Sequence, residues 1–419
     1  RFRMADALHE AYIRQLLEAH ATAPEVMVAW QGGEPTMMGL DFFRRSVALE
    51  RTYAKPGQRI LNTIQTNGTL LDDEWGEFLK ANDFLVGISI DGPRQMHDAY
   101  RVDKGGKPTF DRVMAGLDVL KRHAVDWNVL ATIHAVNGDH GRKVYTFCRD
   151  ELGATFLQFI PIIERATEET FAVAETGWGD SVHGRPLYKQ EGSLVTHRSV
   201  KPAQYGRFMI DVFEEWVRHD IGTVYVQMFD TALANWCGEP GGMCVHAKTC
   251  GQQLAIEHSG DLYSCDHFVE PDYLLGNIED TPMLELVLSP QQQKFGQDKF
   301  DTLTQFCLDC DVRFACNGGC PKDRFATARS GETGQHFLCP SYQEFFHHVG
   351  RPMEMMVELL RARRPPSALM AIYASEDAAR NRNAPCTCGT GKKWKRCHGA
   401  PLPPGYGPSS NRSTSATAT

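Results

Sequence analysis

Val26-Met27-Val28-Ala29-Trp30, followed at once by Gln31-Gly32-Gly33-Glu34-Pro35, decides the fold. A short apolar run that stops in a glycine-rich turn reads as a buried strand delivering its end to a ligand, because glycine lets the backbone approach closely. The same pairing recurs downstream. Ile60–Gln65 closes in Thr66-Asn67-Gly68, and Phe84–Ile90 closes in Asp91-Gly92-Pro93. Around these runs lie segments of helical periodicity: Ala5–His20, Leu40–Thr52 and Asp72–Asn82, the last with Asp72 as N-cap. Phe110–His123 and Lys143–Leu152 continue the helices, Trp127–Ala135 and Thr155–Ile163 the strands. Strands alternating with helices imply an α/β fold of parallel, right-handed βαβ units, either a barrel or a doubly wound sheet. In α/β barrels the chemistry sits where strands end, which is where these turns lie.

Beyond residue 165 the pattern changes. Residues 166–200 read as an irregular insertion and Pro202–Asp220 as an aromatic-rich helix. Residues from about 230 to 345 form a cysteine-rich segment with short strands such as Gln253–Glu257 and Leu262–Tyr263. Residues 361–383 read as linker or helix, and 400–419, rich in Pro, Ser and Thr, as disordered. The 419 residues are 42% hydrophobic, enough for a sizeable core, and carry a net charge of −8. That charge gives no reason to expect nucleic acid or an anionic membrane as partner. No apolar run approaches the ~20 residues a membrane helix needs.

Thirteen cysteines are present, and only Cys148 precedes position 237. A disulfide scaffold is cysteine-dense throughout, so a reducing compartment and metal or redox work are expected, with the cytoplasm as the location. Cys307-x2-Cys310-x5-Cys316-x3-Cys320, with Cys244, Cys250 and Cys265 upstream and Cys339 downstream, makes eight thiols. Eight matches two four-cysteine iron–sulfur clusters. Structural zinc and disulfides compete with that reading, and spacing alone does not separate iron from zinc.

The strand-end motifs carry a family resemblance. Trp30-Gln31-Gly32-Gly33-Glu34-Pro35-Thr36, Gln65-Thr66-Asn67-Gly68-Thr69 and Ser89-Ile90-Asp91-Gly92-Pro93 closely resemble radical S-adenosylmethionine (SAM) proteins. The cysteine array resembles the auxiliary-cluster region called SPASM. With Leu157-Gln158-Phe159-Ile160 added, the chain looks like an anaerobic sulfatase-maturating enzyme over roughly residues 1–350. The resemblance implies a partial (β/α)6 radical SAM barrel over 1–165, a connecting region with a helix over 166–229 and a SPASM domain with two 4Fe–4S clusters over 230–350. A helix or linker (351–383), a small zinc motif (384–399) and a disordered tail (400–419) complete the expected order. The implied activity is oxidation of a Cys or Ser side chain of an unfolded or nascent sulfatase to Cα-formylglycine, with SAM as cosubstrate and a ferredoxin or flavodoxin as electron donor.

Site residues follow motif by motif. The resemblance implies that Gln31, Gly32, Gly33 and Glu34 meet the SAM amino group, that Ser89 and Arg101 contact SAM, and that Ile163 meets the adenine. Arg101 is suited to the SAM carboxylate. Each has an ordinary reading beside this one: Ser89 a turn residue, Arg101 a surface charge, Ile163 core. Asp266, directly after Cys265, matches the family's proposed general base; its ordinary reading is a turn aspartate. One cluster is expected on Cys244, Cys250, Cys265 and Cys320, the other on Cys307, Cys310, Cys316 and Cys339. Cys148 and Cys237 are left over as plain buried thiols.

Two features stand apart. Cys386-x-Cys388-x8-Cys397-His398, enclosing Lys392-Lys393-Trp394-Lys395-Arg396, has zinc-like spacing and closely resembles the SEC-C motif. Either it only folds a tail or its basic loop meets a partner. The family's Cys-x3-Cys-x2-Cys, which binds the SAM-cleaving 4Fe–4S cluster, has no match in the 419 residues. It is expected N-terminal to Arg1, and the chain as written is not expected to cleave SAM. The competing readings are another SPASM-type peptide-modifying enzyme and an inactive zinc-tailed binding protein.

Overall fold

The computed structural model describes residues 3–177, 188–379, 383–386 and 390–397. Six parallel strands form one open sheet in sequential order. They are β1 (Glu25–Trp30), β2 (Arg59–Thr66), β3 (Leu85–Ser89), β4 (Asp126–Ile133), β5 (Phe156–Pro161) and β6 (Tyr225–Val226). Strand neighbours in sequence are neighbours in space, as successive right-handed crossovers require. The register joins Ile64 to Val86, Ile88 to Val129, and Leu157 to Val226, so branched side chains stack across the sheet. Central β3 is buried along four of its five residues, whereas edge strand β1 alternates buried and exposed.

Helices α1 (Asp6–Ala19), α2 (Leu40–Tyr53), α3 (Asp73–Ala81) and α4 (Phe110–Arg122) cover the outer face. Asp72 caps α3 by accepting from the Trp75 amide at 3.0 Å, as its position in the sequence predicts. Phe43, Leu79, Leu117 and Leu120 from these helices are wholly buried against the sheet. The segment expected as a helix over Lys143–Leu152 begins as α5 (Gly141–Thr146) and widens into a π-helical turn, Phe147–Glu151, that buries Cys148 completely.

β6 is the element that periodicity missed. Two residues carry no period, and the strand is made by its neighbours: the Tyr225 amide donates to Thr155 O at 2.8 Å, after the crossover helix α6 (Pro202–His219). A second long helix, Cys339–Arg361, lies along α6. Phe213, Phe229 and Phe345 form a triangle of rings, with Phe213 and Phe345 centroids 5.1 and 5.8 Å from that of Phe229. The boundary expected at 350/351 falls inside this second helix. A three-stranded antiparallel sheet, Ala255–Ile256, Asp261–Tyr263 and Leu274–Asn277, marks the cysteine-rich segment.

The C-terminal residues dock on the outside of α6. The Arg218 guanidinium lies 4.7 Å from the ring of Tyr373 on helix Ala368–Ala379 and 5.5 Å from that of Trp394. Arg142 donates to Cys397 O at 2.8 Å. Trp394 is buried, while Lys392, Lys393, Lys395 and Arg396 face outward. Trp394→Ala removes the buried ring and a cation–π contact of about 1 kcal/mol, so trypsin should cut within residues 392–396 about tenfold faster, read by limited digestion and mass spectrometry. An unchanged cleavage rate would show that Trp394 does not anchor this segment. Cys388, His398 and the tail expected as disordered lie outside the described residues.

Candidate functional site

The turn after β1 takes the conformation its glycines permit. Gly32 has φ 92° and Gly33 φ 54°, the left-handed region, and a side chain placed on either points into open space. Glu34 then ties this turn to the next strand end. Its Oε1 accepts from the Thr36 amide (3.1 Å), Thr36 Oγ1 (2.5 Å) and Thr66 Oγ1 (2.7 Å), and its Oε2 from the Asn67 amide (2.8 Å). The carboxylate thus binds Gln31–Pro35 to Thr66-Asn67-Gly68, and the protein itself supplies four donors to it.

At the end of β3, buried Ser89 accepts from Gln65 Nε2 at 3.1 Å. Asp91, 1% exposed, holds two neighbours: Oδ1 accepts from the Thr132 amide (2.8 Å) and Oδ2 from Arg101 Nε (2.6 Å). Arg101 is therefore not a loose surface charge; it is clamped at the strand ends, with its side chain 24% exposed. Ile163, just past β5, is buried in the main core at 4% exposure.

A cavity of about 310 Å³ opens where the sheet's C-terminal edge meets the cysteine-rich segment. From the barrel side Gln31, Gln158 and Tyr205 line it; from the other side come Cys244, Asp266, His267, Cys320 and Lys322. Gln31 Nε2 donates to Asp266 Oδ2 at 3.3 Å across 235 positions of sequence. Cys265 Sγ lies 3.2 Å from the other carboxylate oxygen. Asp266 is exposed, into this cavity, while Cys265 is half-buried.

The eight thiols fall into two groups. Cys307, Cys310, Cys316 and Cys339 line one narrow cavity. Cys244 and Cys320 line the larger one, Cys320 is an electrostatic neighbour of Cys265, and Cys250 of Cys244. None of the eight is in a disulfide. Burial pushes the thiols of Cys316 and Cys320 up to about 12 and Cys339 up to about 11, and raises Cys244, Cys250 and Cys265 as well. Amide groups point at sulfur: Gln335 Nε2 lies 2.9 Å from Cys339 Sγ and Gln343 Nε2 3.6 Å from Cys310 Sγ. Sets of sulfur donors gathered this closely fit a soft metal centre, whose binding expels the thiol protons.

Two leftover thiols differ. Cys148 is buried as expected, and burial pushes it up to about 12. Cys237 is exposed, not buried, because it ends helix Gln227–Cys237 just before the left-handed Gly238 turns the chain outward. In the C-terminal motif Cys386 is buried and Cys397 half-buried, with Thr390 Oγ1 3.4 Å from Cys397 Sγ. The cross-cavity contact of Gln31 with Asp266, and the histidines and Lys322 around it, had no local sequence signal: each is polar chemistry assembled from distant segments.

Comparison with known proteins agrees with this geometry. The radical SAM superfamily profile matches residues 2–148, the SPASM iron–sulfur cluster-binding domain residues 244–311, and the SEC-C motif residues 382–400. A serine-type anaerobic sulfatase-maturating enzyme of Bacteroides thetaiotaomicron is 41% identical, over 88% of this chain and 86% of that protein. A cysteine-type enzyme of Clostridium perfringens is 31% identical over 83% of this chain and 86% of its own length. The solved structure described as native anSMEcpe with bound AdoMet and Kp18Cys peptide superposes with a TM-score of 0.73 at 30% identity, covering 85% of this chain and 91% of that one. With a six-stranded parallel barrel sheet, a SPASM domain and this degree of identity, the chain belongs to the anaerobic sulfatase-maturating enzymes of the radical SAM superfamily.

Proposed function

We propose that this chain, together with a segment bearing the Cys-x3-Cys-x2-Cys of the SAM-cleaving cluster, oxidises a Cys or Ser side chain of a sulfatase polypeptide to Cα-formylglycine, with Asp266 as the general base. The observation that carries the reading is the contact between Gln31, in the barrel's ligand-facing turn, and Asp266, beside Cys265, in one cavity. When bound, SAM and the clusters supply the acceptor for a hydrogen atom from the substrate Cβ and the acceptor for the second electron.

The chain's own residues do the rest. The backbone of Gln31-Gly32-Gly33, held by Glu34, faces the SAM ammonium; the Glu34 carboxylate, already given four donors, acts by shaping the turn. Ser89 and Arg101 take the SAM carboxylate end, Arg101 being aimed by Asp91, and Ile163 supplies an apolar wall to the adenine. Asp266 takes the proton from the substrate's Oγ or Sγ, and Gln31 steadies the carboxylate from across the cavity. Serine then leaves as the aldehyde directly, whereas cysteine leaves as a thioaldehyde that water hydrolyses to the aldehyde with release of hydrogen sulfide. Cys244, Cys250, Cys265 and Cys320 hold one 4Fe–4S cluster; Cys307, Cys310, Cys316 and Cys339 hold the other. The C-terminal motif, with Cys386, Cys388, Cys397 and His398, holds zinc in a closed site. A ferredoxin or flavodoxin serves as the electron donor, and the cytoplasm, where thiols stay reduced, is the location. No helix among the described residues is long and apolar enough to cross a membrane.

The test is anaerobic reconstitution, with iron, sulfide and SAM, of protein that also carries the Cys-x3-Cys-x2-Cys segment, then incubation with a peptide carrying Cys-x-Pro-x-Arg or Ser-x-Pro-x-Arg. Mass spectrometry should show the aldehyde, trapped by a hydrazine. Iron counts should separate the two thiol groups: Cys316→Ala and Cys250→Ala each lose about one cluster's worth, four iron atoms, by the four-thiolate rule. A protein that loads its clusters and cleaves SAM yet leaves both peptides unchanged would argue instead for a different peptide modification.

A further inference from the structure

Two cations lie among the thiols, Lys299 buried and Arg324 half-buried, and among the described residues neither has a carboxylate as a hydrogen-bond or ion-pair partner. Lys299, 1% exposed at the end of helix Pro290–Asp301, sends its ammonium into the loop that carries Cys244. It donates to the carbonyls of Cys244, Val245 (3.0 Å) and Ala247 (2.6 Å). Arg324 spreads over the loop that joins Cys316 of one group to Cys320 of the other. It donates from Nε to Gly318 O (2.9 Å) and from Nη2 to Asn317 O and Gly319 O (3.2 Å each). Its Nη1 donates to the backbone Lys299 O at 2.6 Å, so the guanidinium is tied to the helix end that carries the ammonium. The fit at Gly318 is close: a Cβ there falls 2.9 Å from Arg324 Nη2.

The anionic partners within reach of these charges are thiols, with the buried His246 and His336 beside them. Cys250, Cys244 and Cys320 are electrostatic neighbours of Lys299. Arg324 senses Cys307 and Cys316 of one group together with Cys320 and Cys250 of the other. Burying an unpaired cation among backbone carbonyls is costly unless an anion belongs nearby. A cluster held by four thiolates is such an anion, and each electron it accepts makes it more so. Carbonyl dipoles fix the two side chains in place, and no carboxylate among the described residues pairs with either.

We propose that Lys299 and Arg324 are charge-setting positioning residues: they raise the reduction potentials of the two auxiliary clusters, Lys299 mainly that on Cys244, Cys250, Cys265 and Cys320, and Arg324 both. The inference rests on the cluster assignment above. Fixed positive charge favours the reduced, more negative state, so the clusters accept an electron leaving the substrate more readily. Arg324, in reach of both groups, lowers the energy of an electron on either side and flattens the path between them.

The test is a redox titration of the anaerobically reconstituted full chain, followed by electron paramagnetic resonance, with iron and sulfide counted first. Lys299→Met and Arg324→Gln remove charge at similar size; Arg324→Lys keeps it. The neutral variants are expected to bind full iron and to show about a tenfold lower reduced-to-oxidised ratio at a fixed poise, which corresponds to a shift of about 59 mV for a one-electron couple. Arg324→Lys should stay near wild type. Iron lost from the neutral variants but retained in Arg324→Lys also supports the proposal, because charge and not shape then decides loading. Wild-type potentials in fully loaded Lys299→Met and Arg324→Gln would overturn it. So would equal loss of iron from all three variants, which would make both side chains staples for the cysteine loops. Wild-type protein that binds neither cluster would instead sink the ligand assignment, a failure visible before any potential is measured.

Discussion

Asp266→Asn is expected to lower formylglycine formation about 10²- to 10⁴-fold, the range a positioned general base contributes. The change is nearly isosteric. An asparagine amide still meets Gln31, and the cavity keeps its walls, so the side chain stays placed while its basicity is lost. SAM binding, measured by calorimetry, and iron content should match wild type, because the near-isosteric amide keeps an oxygen for Gln31 and leaves Cys265 in place. Substrate oxidation should stall after hydrogen removal, leaving SAM cleavage uncoupled from product. The measurement is a paired one: deoxyadenosine and aldehyde quantified from the same reaction. Wild-type aldehyde yield from Asp266→Asn would end the assignment of Asp266 as base.

Glu34→Ala is expected to be the most damaging change in the barrel half. Four donors lose their acceptor at once, two of them backbone amides that set the paths of two adjoining turns. Single hydrogen bonds to a charged group are worth about 1.5–3 kcal/mol, but neighbours do not add, and the carboxylate is half-exposed; a net loss of about 2–3 kcal/mol is the expectation for urea unfolding. SAM affinity should fall at least tenfold, since the glycine turn loses its tie. Glu34→Gln should fall between: whichever way its amide turns, one N–H donor meets another donor. A Glu34→Ala protein with wild-type stability and SAM affinity would show that the turn holds itself.

How much of this was legible in the sequence depends on the range of the interaction. The strands β1 to β5, their closing turns and the Asp72 cap are set by local composition, and the structure has them where the periodicity put them, within a few residues. The grouping of thiols came from a family resemblance, not from spacing, and spacing alone had left iron and zinc open. What stayed hidden was long-range. β6 exists because β5 offers it an edge. Cys237 faces outward because Gly238 turns the chain, although its apolar neighbourhood reads as core. Lys299 and Arg324 look like ordinary surface charges in a polar segment. The burial of Lys299 and the half-burial of Arg324 follow from carbonyls 55 residues and 5 to 25 residues away. Gln31 and Asp266, in contact across one cavity, are 235 positions apart.

The order of the thiols along the chain has one more consequence. Cys320 belongs with Cys244, Cys250 and Cys265, but it falls between Cys316 and Cys339 of the other group, so the two loops cross as in a knot diagram whose strands cannot be closed one after the other. Closing either loop shortens the search of the other, because the entropy of joining distant residues falls with the length still free. Assembly of this region is therefore mutual: each half is a folding template for its neighbour, and a lesion in one should be felt as slow maturation of both.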